Sequence, residues 1–205
     1  SKVVALAKHY AAYGAALGGL NGAPAELSER TLREWYLRPW RAFAAAGGKG
    51  AMASHNTVLN QPMHANDYVT NQIFRKEFGF GEGVIVSDCN DVPALVSFRT
   101  ATNLSQAAAR GIKGGIDLDL QCALLTNKTA YTHLEQAIVD GLLNLEKIKV
   151  AAKRVLTQKY ALGLFEEPFV DPTQAAPGLN TPAHRALALR AAEEGIVLLK
   201  NDKGI

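Results

Sequence analysis

Four places in the sequence put chemically capable side chains directly after short apolar runs: Lys8-His9, Ser54-His55-Asn56, Asp88, and Asp117 with Asp119. The sharpest is Asp88. Val84-Ile85-Val86 reads as a buried strand, and after Ser87 it stops at a carboxylate followed by Cys89-Asn90-Asp91. A carboxylate delivered by rigid backbone can serve as a nucleophile or a metal ligand, and in parallel-strand barrels the active site lies at the carboxyl ends of the strands. Each position also has a plainer reading. Asp88 could cap the next helix, the Lys-His pair could be satisfied internally, and Asp117 or Asp119 could bond loop backbone. Repetition at successive strand ends outweighs these, because apolar strands do not otherwise converge cations and carboxylates on one rim.

The elements that must position these residues alternate in type. Val3 to Ala7 reads as a strand. Ser28 can cap a helix whose apolar positions Leu32, Trp35, Tyr36, Trp40 and Phe43 follow the helical period, with a kink at Pro39 and a stop at Gly47. Gly50 to Ala53 is a second strand, and a helix from Asp67 turns Val69, Ile73 and Phe74 to one face before Gly79. The Val84 strand, a helix over Leu104 to Ile112 and a strand from Gly115 to Leu120 follow. Two helices close the block, one from Thr129 to Gly141 and one from Asn144 to Gly163 with Leu145, Ile148, Val155 and Leu156 inward. Four strand-plus-helix units in series predict an α/β fold with a parallel sheet and helices outside, half of an eight-stranded barrel. Glu166 to Pro182, holding Pro168, Pro172, Pro177, Gly178 and Pro182, reads as a linker. A helix over Ala183 to Glu194 then leads into Gly195 to Lys200, which reads as the first strand of a second domain. The expected division is 1–165, 166–182 and 183–205.

The 205 residues are 48% hydrophobic and 20% charged, an ordinary globular composition. A net charge of +3 with no Lys/Arg-rich block gives no argument for a nucleic-acid partner. No apolar stretch approaches the ~18 residues that span a bilayer, so no membrane partner is expected. Cys89 and Cys122 lack metal-ligand spacing and are expected as free thiols. The chain begins at Ser1 and ends just past an apolar run, and it reads as a fragment.

Several segments resemble one family in order and spacing. Lys8-His9-Tyr10 is similar to a K-H-F motif, and Met52-Ala53-Ser54-His55-Asn56 to M-x-S-Y-N. Arg75-Lys76-Glu77-Phe78-Gly79-Phe80 with Gly83-Val84-Ile85-Val86-Ser87-Asp88 is similar to R-x-E-W-G-F…G-x-V-V-S-D. Tyr160 to Phe165 and Gly195 to Asn201 resemble the end of its barrel and the opening of its next domain. The family is glycoside hydrolase family 3, the β-glucosidase and β-xylosidase group, and the resemblance runs from Lys2 to Asn201. It implies the C-terminal half of a TIM-like barrel, a linker and the start of an α/β sandwich domain.

That resemblance implies a retaining β-glycosidase that removes glucose- or xylose-type residues from non-reducing ends. Asp88 would be the nucleophile, forming a covalent glycosyl-enzyme while a second carboxyl group serves as acid and base. Lys8 and His9 would bind sugar hydroxyls, Lys8 would add positive charge near Asp88, and His55, Asn56 and Cys89 would line the same subsite. The acid/base Glu would lie beyond residue 205, so the chain alone would not turn over ordinary glycosides. Partners would be a β-glycoside and the remaining barrel half and C-terminal domain of the parent chain, with no cofactor; the family is mostly secreted or periplasmic. Two departures stand out. His55 replaces the motif's Tyr, and Cys89 replaces the Trp of many glucosidases, as in xylosidase-like members. Without the resemblance, two rivals remain: a metal-dependent barrel hydrolase using His9, Asp88 and Asp117 or Asp119, and a non-catalytic carbohydrate-binding protein on a degenerate barrel. Sequons at Asn103 and Asn127 would matter only in a eukaryotic secretory pathway.

Overall fold

The structure, a computed structural model, describes residues 3–122, 129–202 and 204. Lys2 and the Asn127 sequon lie outside the described residues. The described chain divides into two units, one to Phe165 and one from Glu166.

In the first unit a parallel sheet carries the site. Strand β1 (Leu6–Tyr10) pairs with β2 (Gly50–Ala53), aligning Leu6 with Gly50 and Lys8 with Met52. A two-stranded hairpin of β3 (Thr57–Val58) and β4 (Gln61–Pro62) follows, and then β5 (Val84–Val86) pairs parallel with β2, Met52 opposite Val86. Sheet order therefore follows chain order among the parallel strands, with helical crossovers between them. The β1 strand lies about three residues later than the sequence predicts, so Lys8 and His9 are inside it. The expected strand from Gly115 to Leu120 is a single parallel bridge, Val86 to Leu118, extended by hydrogen bonds such as Ser87 N–H to Leu118 O at 2.8 Å. Within this segment the Asp119 carboxylate accepts the backbone N–H of Ala130 at 2.7 Å.

Eight helical stretches of this unit matter. Ser28 Oγ accepts from Thr31 N–H and caps α1 (Glu29–Thr31) as expected. A π-type turn over Leu32–Tyr36 follows, closed by Leu37 N–H to Leu32 O at 2.9 Å, and α2 (Arg38–Ala45) restarts with Pro39 in its first turn. The wide turn shifts the helical phase, so Leu37 is buried and Trp35, expected on the inner face, is 74% exposed. A second π-type helix covers Tyr68–Glu77. After β5 come α3 (Asp91–Ser97), α4 (Leu104–Lys113), α5 (Leu134–Val139) and α6 (Leu145–Ala161). Tyr10, Phe74 and Phe80 stack at successive centroid separations of 4.2 Å, with Trp40 edge-on to Tyr10 and Phe74. This aromatic column fixes β1 against the π-type helix, and the Tyr10 hydroxyl donates to Val69 O at 2.7 Å.

The second unit holds a turn at Pro172–Gln174, α7 (Ala175–Gly178) and α8 (Pro182–Gly195), the last capped by Thr181. Residues 196–200, expected as a strand, have no strand partner among the described residues and are exposed. A β conformation needs a neighbouring ladder for its N–H and C=O groups. Among the described residues no helix is long and apolar enough to cross a membrane.

Candidate active site

Asp88 sits two residues past β5 and is 6% exposed. Its Oδ1 accepts the Cys89 backbone N–H at 2.7 Å. Its Oδ2 lies 3.2 Å from His55 Nε2 and 3.5 Å from His9 Nε2, yet it takes part in no aligned hydrogen bond among the described residues. A buried carboxylate oxygen with free lone pairs, flanked by two imidazoles, calls for an explanation. His9 comes from β1 and His55 from the turn after β2, so the sheet order alone delivers them beside the end of β5. The Tyr13 ring lies between them, 4.7 Å from His9 and 5.9 Å from His55. Partial burial lowers the pKa of His9, against the pull of the Asp88 charge.

Two further residues join this cluster that sequence reasoning passed over. His64, on the short 3₁₀ turn Met63–Ala65, is buried, and its Nε2 accepts the Asp88 backbone N–H at 2.9 Å. Asp91, the first residue of α3, places Oδ2 2.6 Å from His55 Nδ1 and 3.3 Å from His64 Nδ1. Burial lowers the His64 pKa to about 3, helped by His55. Burial raises that of Asp91 to about 6, with His55 opposing and Asp88 adding to the rise. Asp91 was legible only as part of the segment after the strand. His64 gave no signal, because a lone His in a polar stretch has no periodicity to betray it.

The remaining expected residues fall in three settings. Lys8 is exposed, and the basic side chains at ion-pair distance from Asp88 among the described residues are the two imidazoles. Asn56 and Ser54 are fully buried. Ser54 Oγ donates to Ala11 O at 2.9 Å, and Asn56 Nδ2 lies 3.4 Å from the same carbonyl, so both hold the turn after β1. Cys89 is not a free thiol: it forms a disulfide with Cys122, Cα atoms 5.2 Å apart. The Val86–Leu118 bridge and the Asn90 N–H to Leu120 O bond run the two segments side by side, which sequence spacing alone does not reveal.

Residues 1–158 match the glycosyl hydrolase family 3 N-terminal domain. The chain belongs to glycoside hydrolase family 3. A β-xylosidase of Formosa agariphila is 38% identical over 208 residues, covering 99% of this chain and 28% of its own length. Among solved structures, a β-glucosidase from Erythrobacter marinus superposes with a TM-score of 0.87 at 38% identity, covering 96% of this chain and 25% of that one. A β-glucosidase from Listeria innocua gives a TM-score of 0.89 at 33% identity, covering 98% and 27%. The chain thus spans about a quarter of the length of the relatives it matches. Family 3 membership supports a β-glycosidase lineage and a TIM-like barrel as the parent architecture of the parallel sheet described above.

Of the metal-dependent rival's ligands, His9 and Asp88 lie together, whereas Asp117 and Asp119 are engaged elsewhere. Both Asp117 oxygens are committed to guanidinium groups, Oδ2 to Arg75 at 2.6 Å and Oδ1 to Arg154 at 3.0 Å. Asp119 Oδ2 accepts backbone N–H groups from Ala130 and Tyr131. These two carboxylates secure the underside of β5 and the following loop.

Proposed function

We propose that this chain supplies the nucleophile side of a retaining β-glycosidase active site, with Asp88 attacking the anomeric carbon. The observation that carries the reading is the Oδ2 of Asp88: buried at a strand end, free of aligned hydrogen bonds, and faced by His9 and His55. In the reaction an Asp88 oxygen forms a bond to the anomeric carbon as the aglycone oxygen departs with its electron pair. Water later breaks the resulting ester. Oδ1, held by the Cys89 N–H, fixes the rotamer from which the carboxylate attacks. His9, with Lys8 beside it on β1, contacts hydroxyls of the bound sugar.

The second carboxyl group is a Glu outside these residues. Asp91 already serves two imidazoles and Asp119 serves backbone N–H groups, so neither is free to protonate a leaving oxygen. The covalent Cys89–Cys122 bridge stands immediately beside Asp88, where many family glucosidases have a Trp. Loss of that stacking wall favours a pentose in the subsite.

The test is covalent trapping. Incubation with 2-deoxy-2-fluoro β-xyloside and β-glucoside bearing a dinitrophenolate leaving group removes the need for the acid and slows the second step. Intact-mass spectrometry with peptide mapping should find one sugar on Asp88, faster with the xyloside, and none in Asp88→Ala. A label elsewhere, or none from either reagent, overturns the assignment.

A further inference from the structure

Beside Asp88 lies a closed circuit that the displacement chemistry itself does not require. Asp91 Oδ2 meets His55 Nδ1 at 2.6 Å and His64 Nδ1 at 3.3 Å; His55 Nε2 then reaches the Asp88 carboxylate at 3.2 Å, and His64 Nε2 takes the Asp88 backbone N–H at 2.9 Å. We propose that Asp91 is the positioning residue for the nucleophile, gripping its backbone through His64 and facing its carboxylate with His55. This rests on the glycosidase reading of Asp88.

The tautomers follow from the partners. A backbone N–H can only donate, so His64 Nε2 is an acceptor and the proton of the neutral ring is on Nδ1, aimed at Asp91. His55 presents Nδ1 to the same oxygen. One Asp91 oxygen therefore hydrogen-bonds His55 Nδ1 at 2.6 Å and faces His64 Nδ1 at 3.3 Å, which orients both rings. His55 Nε2 then stands 3.2 Å from Asp88 Oδ2 without an aligned hydrogen bond that would occupy the attacking lone pair. The titratable and charged groups around the circuit are Asp88 from the β5 end, His9 and Lys8 from β1, His55 from the β2 end, and His64.

The circuit has a pH sense. Ionised, Asp91 Oδ2 is a strong acceptor facing both rings; protonated, it loses the charge and holds them only with the weaker pull of a neutral carboxyl. Its carboxyl is pushed up to about 6 by burial, so the circuit loosens as pH falls through that range.

The experiment measures the trapping rate against pH for the wild type, Asp91→Asn, His55→Gln and the double variant. The wild type should show an acid limb near pH 6. Each single variant should trap roughly 10- to 100-fold more slowly, the scale of a small misplacement of a reacting group. In Asp91→Asn that limb should move to lower pH, and the double variant should be no slower than the slower single. Long-range ¹⁵N–¹H spectra of the imidazoles keep the test independent of folding losses: His64 should show an acceptor Nε2 and a protonated Nδ1, and the His55 signals should shift in Asp91→Asn. Trapping by the wild type with unchanged rates and limb in the variants, or multiplying losses in the double, overturns the inference and leaves the glycosidase reading intact. No adduct in the wild type overturns that reading itself.

Discussion

The imidazole of His64 accepts the backbone N–H of Asp88 at 2.9 Å, so the ring must stay neutral for the nucleophile's backbone to keep this partner. Burial lowers its pKa to about 3 from 6.5, while burial raises Asp91 from 3.8 to about 6. The signs oppose. A depressed group stabilises the fold above its unfolded pKa and loses that contribution as pH falls, because unfolding takes up a proton. A raised group stabilises at low pH and loses its contribution as pH rises, because unfolding releases one. Between about pH 4 and 6 the two nearly cancel.

His64→Gln keeps an acceptor for the Asp88 N–H and removes one side of that balance. The stability difference between wild type and variant should shrink by about 1.4 kcal/mol for each pH unit below 6.5. Urea denaturation at several pH values measures it. A difference that does not change between pH 6.5 and 4 would mean that His64 is charged in the fold.

The disulfide makes a second prediction. Its partners are 33 residues apart, and a cross-link closing a loop of that size restrains the unfolded chain by ~4 kcal/mol. Reduction, or Cys122→Ser, should lower stability on that scale in denaturant unfolding. It should also slow trapping at Asp88, whose Oδ1 is held by the Cys89 N–H. Equal stability with and without reductant would remove the bridge from the native state.

What the sequence disclosed, and what it hid, follows from the range of each interaction. The Val84 strand, the Ser28 cap and the Gly47 and Gly79 stops depend on neighbouring residues, and the structure has all of them. Asp88 was legible because a strand must end where its apolar run ends. Trp35 was placed on the wrong face because it lies within a π-type turn, which breaks the helical period locally, while Trp40 beyond it is buried as expected. His64, Asp91 and the disulfide depend on which strand ends meet, so they belong to the topology. The Gly195 to Lys200 run shows the reverse limit: its apolar pattern is strand-like, but a pattern supplies no pairing partner.

Asp117 anchors the underside of β5. Its Oδ2 accepts from Arg75 at 2.6 Å and from Ile85 N–H at 2.8 Å, while Oδ1 meets Arg154 of α6 at 3.0 Å. The Arg75 side chain is only 4% exposed, and burial lowers its pKa despite the Asp117 charge. Removing the carboxylate leaves an uncompensated buried cation, so Asp117→Ala should cost about 3–5 kcal/mol. Asp117→Asn, which keeps an acceptor, should cost less. Chemical denaturation of both variants checks the order; equal losses would show that charge is not what this contact supplies.

The last prediction links helix packing to the site. Gly114 closes α4 against the segment that carries His64. A Cβ at this position would stand 2.8 Å from Ala65 Cα and 2.9 Å from His64 O. Both are backbone atoms and cannot swing aside, so Gly114→Ala must move either the end of α4 or the 64–65 turn. Overpacking of this kind costs about 1–3 kcal/mol. If the turn moves, His64 leaves Asp88 N–H and the circuit to Asp91 opens, so trapping at Asp88 should slow beyond what lost stability explains. If the helix moves, stability falls and trapping at temperatures well below unfolding stays at the wild-type rate. Measuring both on one variant separates the two responses. A Gly114→Ala protein with unchanged stability and rate would show that α4 does not press on this turn.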